Sequence, residues 1–291
     1  MSRMVLVHAH PDDETITCGG LMARAVDAGW DVTLVTCTLG ELGEVIPPEL
    51  KYLEGSPELA QYRAKELAAA CAALGVTDHR FLGEEGRWHD SGMVSTGEGI
   101  RAAAPAHLSE GAFATRADVD LQVHQLVEIL TETEPDVVIS YDASGGYGHP
   151  DHVRAHEITG GAVERIDPLG QRVALYAAVS PRGDVERGLA SLRRRPWLGL
   201  PVPDVSGLPT VPDDVVTVRV ELGPARVRKL AALRAHATQI TVLDDGSEPP
   251  AYALSNELAQ PVVGVEGFVL LRGPDRDRGE HADRGLAALS A

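Results

Sequence analysis

The sequence predicts an α/β fold in which helices cover both faces of a mostly parallel sheet, with a smaller α/β lobe at the C-terminal end. Three observations predict it. Short apolar runs alternate with amphipathic helical stretches through the first 179 residues. Residues 31–38 are almost wholly apolar or β-branched, as in a strand buried on both faces. Two clusters of histidine and carboxylate, His8-Ala-His-Pro-Asp-Asp-Glu14 and His149-Pro-Asp-His152, each follow a short apolar run.

The elements follow in order. Residues 4–9 form the first strand and 14–29 a helix; 31–38 is the second strand. Ser56-Pro57-Glu58 is a helix start, with a cap, a proline at the first helical position and an acid at the positive end. That helix runs through Leu59, Tyr62, Leu67, Cys71 and Leu74 to a stop at Gly75. Residues 79–82 make a short third strand. Residues 116–134 are a helix with Val119, Val123, Leu126, Val127 and Leu130 on one face; Pro135 ends it, and 136–141 is the fourth strand. A helix over 151–166 and a strand over 173–179 complete the repeating pattern. This order implies a Rossmann-like three-layer fold. In its commonest strand order the first and fourth strands are neighbours and the chain reverses direction between them, which is where such sheets bind ligands. Both clusters fall at that reversal.

Residues 1–179 therefore read as the catalytic domain and 180–291 as the smaller lobe that completes the substrate pocket. Residues 181–214 are rich in Pro, Gly and Arg without clear periodicity. A strand is expected over 215–222, helices over 224–237 and 248–258, a last strand over 265–272, and a frayed charged tail from 274.

Composition narrows the function. The chain has 291 residues, 44% hydrophobic, enough for a full core. A net charge of −17 repels phosphate backbones, so nucleic acid and anionic membranes are poor partners; a small neutral substrate is untouched by that argument. The three cysteines, Cys18, Cys37 and Cys71, are widely spaced and lie within expected helix or strand, which favours buried thiols over a disulfide framework. No charged segment with a long apolar stretch opens the chain, and no run of about 18 apolar residues follows, so a soluble cytoplasmic protein is expected.

His10 and Asp13 lie three apart at a strand-to-helix turn stiffened by Pro11, and His152 can supply a third ligand from the opposite turn. Two histidines and one carboxylate suit a divalent metal that keeps a position open for water and lowers its pKa toward neutrality. Asp12 is then the natural general base. Spacing alone leaves open which of Asp12 and Asp13 binds the metal. The competing structural reading is that Asp12, Asp13 and Glu14 only cap a helix, and that His149 and His152 belong to an ordinary loop. In Ser144-Gly-Gly-Tyr-Gly148 three glycines let the backbone approach a ligand closely; Tyr147 can hydrogen-bond a substrate carbonyl, and His149, if protonated, can stabilise an oxyanion. The alternative for Tyr147 is an exposed loop residue.

These stretches, with Val35-Thr-Cys-Thr-Leu-Gly-Glu-Leu-Gly-Glu-Val-Ile46, Gly86-Arg-Trp-His-Asp-Ser-Gly-Met93, Tyr141 to His152, Ala235-His-Ala-Thr-Gln239 and Ala253-Leu-Ser-Asn256, span nearly the whole chain. Together they resemble the PIG-L/LmbE-like metal-dependent deacetylases. The resemblance implies a metal, zinc or ferrous iron, on His10, Asp13 and His152, with Asp12 as base and His149 and Tyr147 stabilising the tetrahedral intermediate. The stretches at 35–46 and 86–93 are similar to the members that deacetylate N-acetylglucosaminyl-inositol in mycothiol biosynthesis, rather than to the sister S-conjugate amidases. By the same resemblance Arg63 and Asp90 bind sugar or inositol hydroxyls, with Met93 nearby; on sequence alone Arg63 reads as a solvated helix residue. Thr15 stands where the family pattern has serine. A nucleotide-binding module is disfavoured, since the first turn carries three acids and no G-x-G-x-x-G. A non-catalytic sugar-binding protein is disfavoured by the spare carboxylate of Asp12.

Overall fold

The computed structural model describes residues 2–96, 100–274 and 285–290. In chain order its elements are β1 (Arg3–His8), α1 (Asp13–Asp27), β2 (Asp31–Thr36), α2 (Glu58–Leu74), β3 (Asp78–Phe81), β4 (Val94–Ser95), β5 (Ala102–Ala103), α3 (Val119–Thr133) and β6 (Val137–Ser140). There follow α4 (Gly145–Gly148), α5 (Pro150–Ile166), β7 (Ala174–Val179), α6 (Arg182–Leu192), β8 (Val218–Glu221), α7 (Ala225–Ala235), β9 (Thr241–Leu243), β10 (Ala251–Ala253), β11 (Gln260–Pro261) and β12 (Val265–Arg272).

Seven strands form one sheet in the order β3-β2-β1-β6-β7-β12-β8. The first five are parallel; β12 runs antiparallel to both β7 and β8. β1 lies between β2 and β6, with Leu6 opposite Leu34 on one side and Ile139 on the other. The chain thus winds outward from β1 to β3 and returns to the other side of β1, and the reversal opens beside the carboxyl ends of β1 and β6.

Strand alternation sorts the core into two layers. Met4, Leu6, Leu34, Ile139 and Tyr176 pack under α1, α2 and α7 with Cys18, Leu21, Leu67, Leu74 and Ala232. Val5, Val7, Val35, Val138 and Leu175 face the other way, under α3 and α5 with Val123, Leu126, Leu130, Ala155 and Ile158. All three cysteines are free and buried. Among the described residues no helix is long and apolar enough to cross a membrane.

The C-terminal residues differ from expectation in three places. Residues 182–192, within the stretch read as aperiodic, are helical: Val185, Leu189 and Leu192 give α6 a buried stripe at helical spacing. The helix expected over 248–258 is instead β10, the middle strand of an antiparallel β11-β10-β9 sheet. Pro249 and Pro250 precede it, and Ala251 and Ala253 are buried while Tyr252 between them is half-buried, a period of two. The tail is not frayed throughout. Residues 275–284 lie outside the described residues, but Leu286 and Leu289 are buried in the core beneath α1.

The last strand also reaches α1 directly. Lys229 Nζ and Glu266 Oε1 are buried 2.7 Å apart. Lys229 Nζ donates to Ile16 O, and the Glu266 carboxylate accepts from the Gly20 and Leu21 amides. Charges buried at this depth persist only when paired and hydrogen-bonded, as these are.

Candidate active site

β1 delivers His10, Asp12 and Asp13 to the reversal point, and β6 delivers Tyr141 and the loop that carries Tyr147, His149 and His152. Asp13 is the hub. Its Oδ2 accepts from the His10 amide (3.0 Å) and from the Tyr141 hydroxyl (2.7 Å). The same oxygen stands 3.3 Å from His10 Nδ1 and 3.2 Å from His152 Nε2. Tyr141 accepts from the Ala9 amide (2.9 Å) and stacks on His152, the ring centroids 4.2 Å apart.

Backbone and carboxylate groups fix which nitrogen of each imidazole is available. His152 Nδ1 is 3.2 Å from Gly145 O, which can only accept, so Nε2 carries the lone pair. Gly145 has φ 63°, and a Cβ there would lie 2.8 Å from Val153 N; only glycine permits this approach. His10 Nε2 is 3.1 Å from Asp151 Oδ2, leaving Nδ1 to face Asp13. His10 Nδ1 and His152 Nε2 therefore both face Asp13 Oδ2, although Asp13 is in neither group of ligand atoms lying within 4.8 Å of one another, and buried His152 Nε2 has no hydrogen-bond partner. Only a cation or a proton stabilises such a convergence. Without a metal, His10 takes the proton: burial opposes its charge, but Asp90, Asp13 and Asp151 hold its pKa well above the ordinary value. Burial likewise opposes ionisation of Asp13, yet the neighbouring His152 and His10 imidazoles hold its carboxyl well below the usual range. Buried imidazoles and carboxylates in this arrangement fit a divalent cation, which would replace that proton.

Other groupings share the space. His10, His149 and His152 bring one nitrogen each within 4.8 Å of one another, as do ligand atoms of His10, Asp90, His149 and Asp151. His149, however, has Nδ1 occupied as acceptor from the Asp151 amide (3.2 Å), so its neutral ring carries its proton on Nε2. Burial, reinforced by the charges of His10 and His152, pushes it down to about 2. In this arrangement His149 is therefore a neutral N–H donor. Burial and the Asp13 charge raise the Tyr147 phenol well above its usual range, so it too remains a donor. Its ring centroid is 5.0 Å from that of His152.

Asp12 is not a helix cap. It occupies the N-cap position of α1, but its side chain makes no capping hydrogen bond, and its φ of 124° is one that L residues rarely adopt. Burial raises its carboxyl to about 6, with Arg63 opposing and Asp13 adding to the rise. Arg63 is not a solvated helix residue either: it is 3% exposed. It donates to Gly40 O and Pro11 O, and its Nη2 lies 3.3 Å from Asp12 Oδ2. Asp90 is also buried; its Oδ1 accepts from the Gly92 amide and lies 3.6 Å from His10 Nε2. Asp90 thus touches His10, one of the expected metal ligands, which sequence gave no reason to expect. Met93 is 55% exposed, away from these contacts.

Sequence reasoning passed over Asp151 and Tyr141. Asp151 is wholly buried and orients His10 while accepting from the Ser91 amide (2.9 Å). Its signal was present: His149-Pro-Asp151 repeats the His10-Pro-Asp12 pattern. Tyr141, ending the apolar run of β6, carried no comparable mark.

Residues 5–163 match the family described as PIG-L, GlcNAc-PI de-N-acetylase. The chain is 47% identical over 286 residues to the 1D-myo-inositol 2-acetamido-2-deoxy-alpha-D-glucopyranoside deacetylase of Actinosynnema mirum, covering 98% of this chain and 95% of that one. It is 49% identical over 275 residues to the enzyme of that name from Saccharomonospora viridis, covering 93% and 96%. Among solved structures, a teicoplanin-pathway deacetylase in complex with teicoplanin superposes with a TM-score of 0.56 at 17% identity, over 94% of this chain and 100% of that one. A zinc-inhibited form of teicoplanin deacetylase does so with 0.55 at 18%, over the same shares. At such identities the structures speak to the fold alone. The family match over more than half the chain, and the relatives near half identity over almost all of it, establish that this protein belongs to the PIG-L family of de-N-acetylases.

Proposed function

We propose that this protein is a metal-dependent amidohydrolase that removes acetate from N-acetylglucosaminyl-inositol, giving the free amine, in mycothiol biosynthesis. The observation that carries this reading is the placing of His10 and His152 against Asp13, beside an Asp12 carboxylate that caps no helix, in a chain nearly half identical to deacetylases of that name. His10, Asp13 and His152 are the proposed ligands of one divalent ion. Zinc suits the donors, and ferrous iron accepts the same set. When bound, the ion supplies Lewis acidity to the acetamide carbonyl and acidity to the attacking water.

The chain's residues do the rest. Asp12 takes a proton from the attacking water as the water oxygen bonds to the acetamide carbon. His149 Nε2–H and the Tyr147 hydroxyl donate to the oxyanion that forms. Asp12 then passes its proton to the departing nitrogen, the C–N bond breaks, and acetate and a free amine remain. Arg63 holds the Asp12 carboxylate on one side, and Arg63, Asp90 and Met93 are the proposed contacts to the sugar and inositol. Residues 1–179 carry the chemistry in this reading and 180–291 complete the pocket. Three buried free thiols are in keeping with a cytoplasmic site of action.

The test is amine release from N-acetylglucosaminyl-inositol, plain N-acetylglucosamine and a mycothiol S-conjugate, each with and without chelator. Chelator-sensitive turnover highest on the inositol-bearing substrate is expected, with Asp90→Ala impairing that substrate more than plain N-acetylglucosamine. Preference for the S-conjugate would assign the chain to the sister amidase activity, and binding without turnover would make it a sugar-binding protein.

A further inference from the structure

We propose that the buried Glu14–His236 pair positions the general base, a role that rests on Asp12 being that base. Asp12 holds a backbone conformation unfavourable to an L residue, so surrounding groups must enforce it. Its carbonyl is bound by the Thr15 and Ile16 amides at 3.0 and 2.9 Å, which fixes one side of the residue to the start of α1. Its amide is bound by Glu14 Oε2 at 2.9 Å. Glu14 reaches back to that amide because its other oxygen is held from behind: Oε1 accepts from Thr15 Oγ1 at 2.5 Å and lies 2.8 Å from His236 Nε2. Glu14 and His236 are both wholly buried, so no water can replace either contact.

His236 arrives from the far end of the chain, immediately after α7. The turn it begins grips α2 as well: Thr238 donates through its amide and hydroxyl to the two oxygens of Glu66, at 2.8 and 2.6 Å. Glu66 lies one helical turn beyond Arg63, whose guanidinium faces Asp12. One short segment therefore holds α1 through Glu14 and α2 through Glu66, and Asp12 and Arg63 stand at the two points held. Neither Glu14 nor His236 touches the space where substrate reacts; they are positioning residues, acting through Asp12.

The experiment combines kinetics with metal analysis on the loaded enzyme. His236→Ala is expected to lower kcat by about a hundredfold, the scale of loss when a reacting group is misplaced by about 1 Å, with KM and metal content unchanged. His236→Gln, whose amide can still donate to Glu14, is expected to recover part of the rate. On an Asp12→Asn background, His236→Ala should cost nothing further. Full kcat in His236→Ala, loss of metal, or an equal fold-loss on both backgrounds would each overturn the positioning role while leaving Asp12 as base. Near-normal turnover of Asp12→Asn alone would overturn the base assignment, and this proposal with it. Glu14→Gln breaks the same chain of contacts from its other end and serves if His236→Ala does not fold.

Discussion

His149 and His152 begin the same helix three residues apart, and the backbone forces them into opposite tautomers. The Asp151 amide donates to His149 Nδ1, whereas Gly145 O accepts from His152 Nδ1. One ring therefore presents an Nε2–H donor and the other an Nε2 lone pair to the same small volume. A single His-x-x-His pattern thus presents a donor and an acceptor side by side, the roles proposed for an oxyanion donor and a metal ligand, and the difference lies in main-chain groups that no side-chain substitution removes directly.

If His152 is a ligand, His152→Ala should lose metal and activity together. Metal analysis of the purified variant checks this; full occupancy would reassign the site toward His149. His149→Ala, by contrast, should retain metal and lose about 100-fold or more in kcat, as when an oxyanion donor is removed.

Asp12→Asn should keep its metal and lose about 100-fold or more in turnover. The pH profile carries a second signature. A base at Asp12 works as a carboxylate, and burial raises its pKa to about 6, so in this proposal activity is present above that value and lost as the pH falls through it. A bound cation favours the ionised form and shifts this limb to lower pH. The acid limb of kcat/KM is expected at or below about 6, and absent from the residual rate of Asp12→Asn.

Tyr141→Phe removes the hydroxyl that bridges the Ala9 amide and Asp13. Leaving that amide unpaired should cost about 1–3 kcal/mol of stability, measurable by urea unfolding. Loss of a hydrogen bond to a proposed metal ligand should also weaken metal affinity about 10–100-fold, measurable by competition with a chelator. A variant that holds metal as tightly as the parent would remove Tyr141 from the support of the site.

Lys229→Ala leaves Glu266 charged and buried without its partner, and should destabilise the fold by about 3–5 kcal/mol. The double change Lys229→Met with Glu266→Gln should recover part of that loss, since no bare charge remains. A single variant with an unchanged melting temperature would show that water reaches Glu266.

The parallel half of the sheet was legible because its strands are buried on both faces and its helices are long and periodic: strands 4–9 and 31–38 were placed within two residues of β1 and β2. Of the nine predicted site residues, six came from the two clusters and the glycine loop, and Arg63, Asp90 and Met93 from the family resemblance; the structure gathers His10, Asp12, Asp13, Asp90, Tyr147, His149 and His152 into one group, with Arg63 behind Asp12 and Met93 exposed. What could not be read is what holds them. Tyr141 meets Asp13 across 128 residues, Asp151 meets His10 across 141, and His236 meets Glu14 across 222. Such contacts follow from three-dimensional packing and leave no local pattern. The helix of residues 182–192 failed for a different reason: its apolar stripe was present, but Pro181 and several arginines obscured it.

The position of β12 sets an order on synthesis. It lies between β7 and β8, yet its residues 265–272 follow both of those strands in the chain. Until they emerge, β7 has an open edge and β8 has no neighbour in the sheet, and the Gly20 and Leu21 amides of α1 lack Glu266. A nascent chain halted before this strand carries every proposed catalytic residue and an exposed apolar edge that invites pairing with another chain. Covering of the β7 edge therefore waits on β12, although every residue proposed for the chemistry precedes it in the chain.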